Sequence, residues 1–75
     1  MQMKYKHYLV FRFWTFDKEW DIRSFVYFAE NEKLTDSDII QAKHDFYNIN
    51  IGRYKIDDDG TGENIICIFF SLLDY

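Results

Sequence analysis

Six apolar residues stand in a row at Ile65-Ile66-Cys67-Ile68-Phe69-Phe70, and the run reaches Leu73 with only Ser71 interrupting it. A membrane-spanning helix needs about 20 such residues. A shorter run rich in β-branched and aromatic side chains reads as a strand. It is apolar on both alternating sides: Ile66, Ile68, Phe70 and Leu72 on one, Ile65, Cys67, Phe69 and Leu73 on the other. A strand of this kind is expected to be central and buried on both faces. The rest of the chain must then cover two faces of a sheet.

Residues 4–16 read as a first strand, dominated by aromatic and β-branched residues. Its odd positions, Tyr5, His7, Leu9, Phe11 and Phe13, form the better core face. The even positions mix cations with large side chains: Lys4, Lys6, Tyr8, Val10, Arg12 and Trp14. The polar stretch Asp17 to Asp21 suits a hairpin connection to a second strand over roughly Ile22 to Ala29. Thr35 is placed to cap a helix. Asp36 and Asp38 fall in its first turn, where carboxylates meet the positive end of the helix, and Asp38 approximates a capping box. Ile39, Ala42 and Phe46 then recur at helical spacing, predicting an amphipathic helix that ends near Asn48. Ile49 to Asp57 reads as a third strand with a bulge at Gly52, where the alternation slips. Asp58 to Glu63 reads as a hairpin turn, because Asp-Gly tolerates positive φ.

These elements give ββαββ: an α+β chain with a four-stranded antiparallel sheet and one helix packed on one face, residues 1–75 forming a single domain. One helix covers one face only. The second face, with Tyr8, Val10 and Trp14 beside the apolar last strand, is expected to meet a partner, since exposed apolar patches of this size mark interfaces.

Composition narrows the class. Nearly half the chain is apolar, and 21% is aromatic, which excludes intrinsic disorder. A single cysteine cannot build a disulfide framework. The stretch from Met1 to His7 is followed by an apolar segment broken at Arg12, with no small-residue cleavage site, so a signal peptide is not expected. The expectation is a cytoplasmic protein with Cys67 reduced. Abundant Phe, Tyr, Ile, Asn and Lys, all spelled by AT-rich codons, fit a low-GC bacterium or one of its phages.

Candidate chemistry is sparse. Taking Gly62 as the invariant glycine of a calcium loop makes Asp57, Asp59 and Thr61 ligands, but the required bidentate glutamate then falls on Ile68. The acidic segment is expected to be a solvated turn, and no metal or cofactor is expected. His7, His44 and Cys67 show no ligand spacing. Cys67 lies in an apolar run, where a thiol is an inert packing group. No enzymatic activity is expected.

The net charge of −4 is unevenly spread. Residues 1–16 carry three cations and no acid, whereas residues 57–75 carry five carboxylates and no cation. Basic residues interleaved with rings in the first strand suit a single-stranded nucleic acid, although strong binders are usually net basic. Nucleic acid is therefore the third reading. The first is an acidic, aromatic surface that docks on a basic protein, its carboxylates standing where phosphates would. Its residues are Asp57, Asp58, Asp59 and Glu63 in one loop, Asp17, Glu19 and Asp21 in another, and Trp14 and Trp20 flanking the latter. The second reading is a homo-oligomeric structural or regulatory module, such as a dimer, that uses the open sheet face.

The layout resembles a diffuse group of small phage and prophage proteins. These open on a Lys-rich aromatic strand, here Lys4 to Phe16, continue through a hairpin and a short helix, and finish on an apolar strand, here Ile65 to Leu73. Some phage proteins of this size and acidity are inhibitors of bacterial immunity, including anti-CRISPR proteins that block the nucleic-acid groove of an effector. The resemblance implies a non-enzymatic inhibitor acting in the host cytoplasm on a basic protein such as a CRISPR effector. It transfers no functional residue.

Overall fold

The computed structural model describes residues 4–73. Met1, Gln2 and Met3 of the N-terminal stretch, and Asp74 among the C-terminal carboxylates, lie outside them. The order is β1 (Tyr5–Trp14), β2 (Trp20–Ala29), α1 (Asp36–Tyr54) and β3 (Ile65–Leu72). The three strands form one antiparallel sheet in the order β2-β1-β3. The class is α+β, but the sheet has three strands, not four.

The missing strand is the segment Ile49 to Asp57, most of which is helix. Helical spacing continues past Asn48. Ala42, Phe46 and Asn50 are buried one turn apart, and the Asn50 side-chain amide donates to the Phe46 carbonyl at 2.9 Å. One turn further, the Tyr54 ring stacks 6.0 Å from Phe13. Ile49 and Ile51, which suggested a strand, are exposed side chains of α1. Gly52 makes no bulge; a Cβ there would meet nothing within 4 Å. The helix stops where Lys55 turns left-handed, at φ 55°. Ile56 then makes a single antiparallel bridge to Thr15. The start of α1 is as expected. The Thr35 hydroxyl accepts from the Asp38 amide at 3.2 Å, and the Asp38 carboxylate accepts from the Thr35 amide at 2.9 Å.

The second correction concerns β3. It is an edge strand, and the central strand is β1, which pairs on both sides. Ile66, Ile68, Phe69, Phe70 and Leu72 are all exposed, and only Ile65 is fully buried. A bulge exists here rather than at Gly52. Val10 pairs with Phe69 and Phe11 with Cys67, leaving Ile68 as the extra residue.

The odd face of β1 is the core face: His7, Leu9, Phe11, Phe13 and Thr15 are buried. Phe46 of α1 enters at its centre, with its ring 4.9 Å from Phe11, 5.5 Å from Phe13 and 5.7 Å from Phe25. Ile56, Ile65 and Ala42 complete the cluster. Burying one such ring contributes about 1.5–3 kcal/mol. The β1–β2 turn closes without glycine. Thr15 donates to the Glu19 carbonyl through its amide and its hydroxyl, and Lys18 takes φ 60°.

Candidate interaction surface

With α1 on one face of the sheet, the even positions of β1 lie on the other. The pairing places Lys6 beside Phe28, Tyr8 beside Val26, Val10 beside Ser24, Arg12 beside Ile22 and Trp14 beside Trp20. On the other flank, Ser71, Phe69 and Ile66 pair with Tyr8, Val10 and Arg12. Ile22, Val26, Phe28, Ile66 and Phe69 are exposed, Phe69 at 55%. Tyr8 meets Phe69 edge-on at 6.4 Å, and Trp14 meets Trp20 edge-on at 5.2 Å. The Arg12 guanidinium lies 4.4 Å over the Trp20 ring. The second sheet face expected from the sequence is therefore open and apolar.

The face carries Lys6 and Arg12 but, among the described residues, no carboxylate. The only acid within a strand is Asp21. It pairs with Phe13 and so lies on the helix side. There its carboxylate stands 3.3 Å from Arg23, whose guanidinium covers the Tyr54 ring at 4.9 Å.

Four of the candidate acids gather at the end of the sheet marked by Trp14 and Trp20. The Thr15–Ile56 bridge ties the 17–21 turn to the start of the 57–63 loop. The Phe16 amide donates to the Lys55 carbonyl at 3.0 Å, and the Asp57 amide to the Trp14 carbonyl at 2.9 Å. Asp17, Glu19, Asp21 and Asp57 thus share one end with both tryptophans. Asp58, Asp59 and Glu63 continue away from it beside α1. There Tyr47 donates its hydroxyl to the Asp58 carbonyl at 2.9 Å.

These carboxylates are not equally available. Asp58 is consumed by its own loop: its oxygens accept from the amides of Gly60 at 2.9 Å, Gly62 at 3.0 Å and Asn64 at 3.1 Å. Asp59 accepts from the Thr61 hydroxyl at 2.7 Å and the Thr61 amide at 3.1 Å, which hold its carboxyl below the ordinary value. Asp17 lies 3.7 Å from the Lys55 ammonium, both groups exposed. Glu19, Asp57 and Glu63 keep carboxylates that no described side chain or amide engages. The spacing Asp58-x-Gly60-x-Gly62 carried the signal for this loop. Asp and Gly at alternate positions let one carboxylate cap successive amides, and both glycines have positive φ, 98° and 84°.

The remaining candidates are scattered. His7 is buried and faces the Asn31 carbonyl through Nε2 at 3.1 Å. His44 lines a shallow hollow with Lys43, Tyr47 and the 60–62 loop. Burial pushes the Cys67 thiol up, and its Sγ lies 3.5 Å from the Phe69 carbonyl. Among the described residues, no three His, Cys, Asp or Glu side chains group to hold a metal, and no helix is long and apolar enough to cross a membrane.

No family model, curated protein or solved structure matches this chain.

Proposed function

We propose that this protein is a non-catalytic binding module of phage type, an inhibitor that docks on a basic, nucleic-acid-binding host protein such as a CRISPR effector. The supporting observation is the shared position of Trp14, Trp20, Asp17, Glu19, Asp21 and Asp57 at one end of the sheet. Rings beside carboxylates combine an anchor with charge steering. The free acids Glu19, Asp57 and Glu63 lead the contact, while Asp58 shapes the loop that carries Asp57 and Glu63.

The test is capture of host proteins on the immobilised chain, followed by direct titration of the purified partner. A net basic, nucleic-acid-binding partner is expected. Its affinity should fall at least tenfold when Glu19, Asp57 and Glu63 are all changed to Ser, with the circular dichroism spectrum unchanged. Equal affinity for both chains would remove the acidic end from the contact.

A second reading, a single-stranded nucleic-acid binder, is favoured by one observation: Arg12 and Lys6 stand among rings on a face that carries no carboxylate among the described residues. It requires salt-dependent retention of oligonucleotides that Arg12→Gln weakens.

A further inference from the structure

Read along the strands, the open face is arranged about a midpoint. The central pair is Val10 and Ser24. On β2, Ser24 is flanked by the aliphatic residues Ile22 and Val26, and beyond them by the rings of Trp20 and Phe28. On β1, Val10 is flanked by Tyr8 and Arg12, and beyond them by Lys6 and Trp14. Each ring on β1 therefore stands as far from the midpoint as a cation does on the other side. On β3, Phe69 is level with Val10.

We infer that this face is covered by a second copy of the chain, stacked face to face about a two-fold axis that crosses the strands at Val10 and Ser24. The interface is isologous, so each position meets its counterpart across the midpoint. Tyr8 faces the second copy's Arg12, and Lys6 faces the second copy's Trp14. Ile22 faces Val26, and Trp20 faces Phe28. Every cation meets a ring, the geometry that attracts rather than repels. The two Arg12 side chains start about 14 Å apart along the strand, at about 3.4 Å per residue. Among the described residues no carboxylate is buried, because the face carries none of theirs.

Twisted sheets stack about 10 Å apart at roughly 30°. That rotation leaves the inner pairs opposite one another and moves the outer pairs toward the neighbouring strand. Two strands about 34 Å long and one of about 27 Å, at about 4.8 Å spacing, offer roughly 460 Å² a side. The total of about 900 Å² is close to the size of about 1,000 Å² at which a specific interface begins. The carboxylates of the acidic end stay outside this contact, whereas Trp14 and Trp20 lie within it; the dimer therefore leaves the docking proposed above to Glu19, Asp57 and Glu63, and the two are tested by different variants.

The experiment is light scattering of the intact chain over a range of concentrations. A particle of twice the 9.2 kDa chain mass is expected, with no further growth. Val26→Glu and, independently, Ile22→Lys should return it to one chain mass with the helix and sheet spectrum preserved. Ile49→Glu, an equally drastic change on the exposed side of α1, should leave the dimer intact. A single-chain mass for the unaltered protein at every concentration overturns the inference. So does a mass that keeps rising, or a dimer indifferent to both face variants. A monomer that takes up an oligonucleotide through Arg12 assigns the face to nucleic acid instead.

Discussion

The Asp58 carboxylate accepts from the Gly62 amide at 3.0 Å, closing the acidic loop on itself. Two further amides, those of Gly60 and Asn64, converge on the same group. Removing it leaves three donors without their acceptor, two of them on glycines held at positive φ. Asp58→Ala is expected to lower stability by about 1–3 kcal/mol. Glu63→Ala, in the same loop, should change it by less than about 0.5 kcal/mol. Urea midpoints of the two variants check this, and equal midpoints would refute the loop's dependence on Asp58.

Gly52 separates the helical reading of 49–54 from the strand reading. In an exposed helix interior, glycine is worse than alanine by about 1 kcal/mol. Because Gly52 lies in the last turn of α1 with open space around it, Gly52→Ala is expected to stabilise the protein by about 0.5–1 kcal/mol. A bulge at this position would give the opposite sign. Thermal unfolding distinguishes the two.

Phe46 touches three rings of the sheet and its own helix's Tyr54. Phe46→Ala should cost about 3–5 kcal/mol. A domain of this size has total stability of about 5–10 kcal/mol, so the variant should lose about a third or more of it and melt far below the unaltered chain. Phe46→Leu, which keeps most of the volume, should remain folded with a lower midpoint. Near-ultraviolet circular dichroism of the packed rings reports both.

Asp59 and Tyr27 each contribute to the pH dependence of stability. Thr61 holds the Asp59 carboxyl below its ordinary 3.8 in the folded chain. The stability this carries is present above that value and is lost as the pH falls through the lower folded value. Tyr27 is raised above its ordinary 10.0, first by burial and then by Asp38, Asp45 and Glu30. Its contribution is present below that value and disappears as the pH rises past the folded one. Denaturation midpoints across the pH range should therefore fall at both ends. Asp59→Asn should flatten the acid limb and Tyr27→Phe the alkaline limb; unchanged limbs would contradict the assignments.

Much of this fold is legible in the sequence where local chemistry decides it. The alternation of Leu9, Phe11 and Phe13 marks the core face of β1, and Thr35 with Asp38 marks the helix start. What local pattern cannot carry is which tertiary partner wins. Ile49 and Ile51 have strand-like spacing, but Asn50 and Tyr54 pack inward on the helical repeat, and that burial prevails. The run at 65–70 signals a strand, but its two-sided apolarity, which suggests the centre of the sheet, belongs to an edge strand. That is settled by β1 taking both neighbours. For the candidate site, the acids and tryptophans are visible in the chain. Their division into loop-forming Asp58 and unengaged Glu19, Asp57 and Glu63 depends on backbone amides that no residue pattern fully lists.

The edge position of β3 also orders events in folding. The β1–β2 hairpin and α1 are local structures and are expected to form early, whereas Phe13 pairs with Ile65, which lies beyond both in the chain. Closing so long a loop is slow compared with turning a hairpin. Until β3 arrives, the central strand presents a bare hydrogen-bonding edge beside Phe11 and Phe13. In that interval the nascent protein is open to strand exchange and aggregation, a hazard that ends when β3 docks.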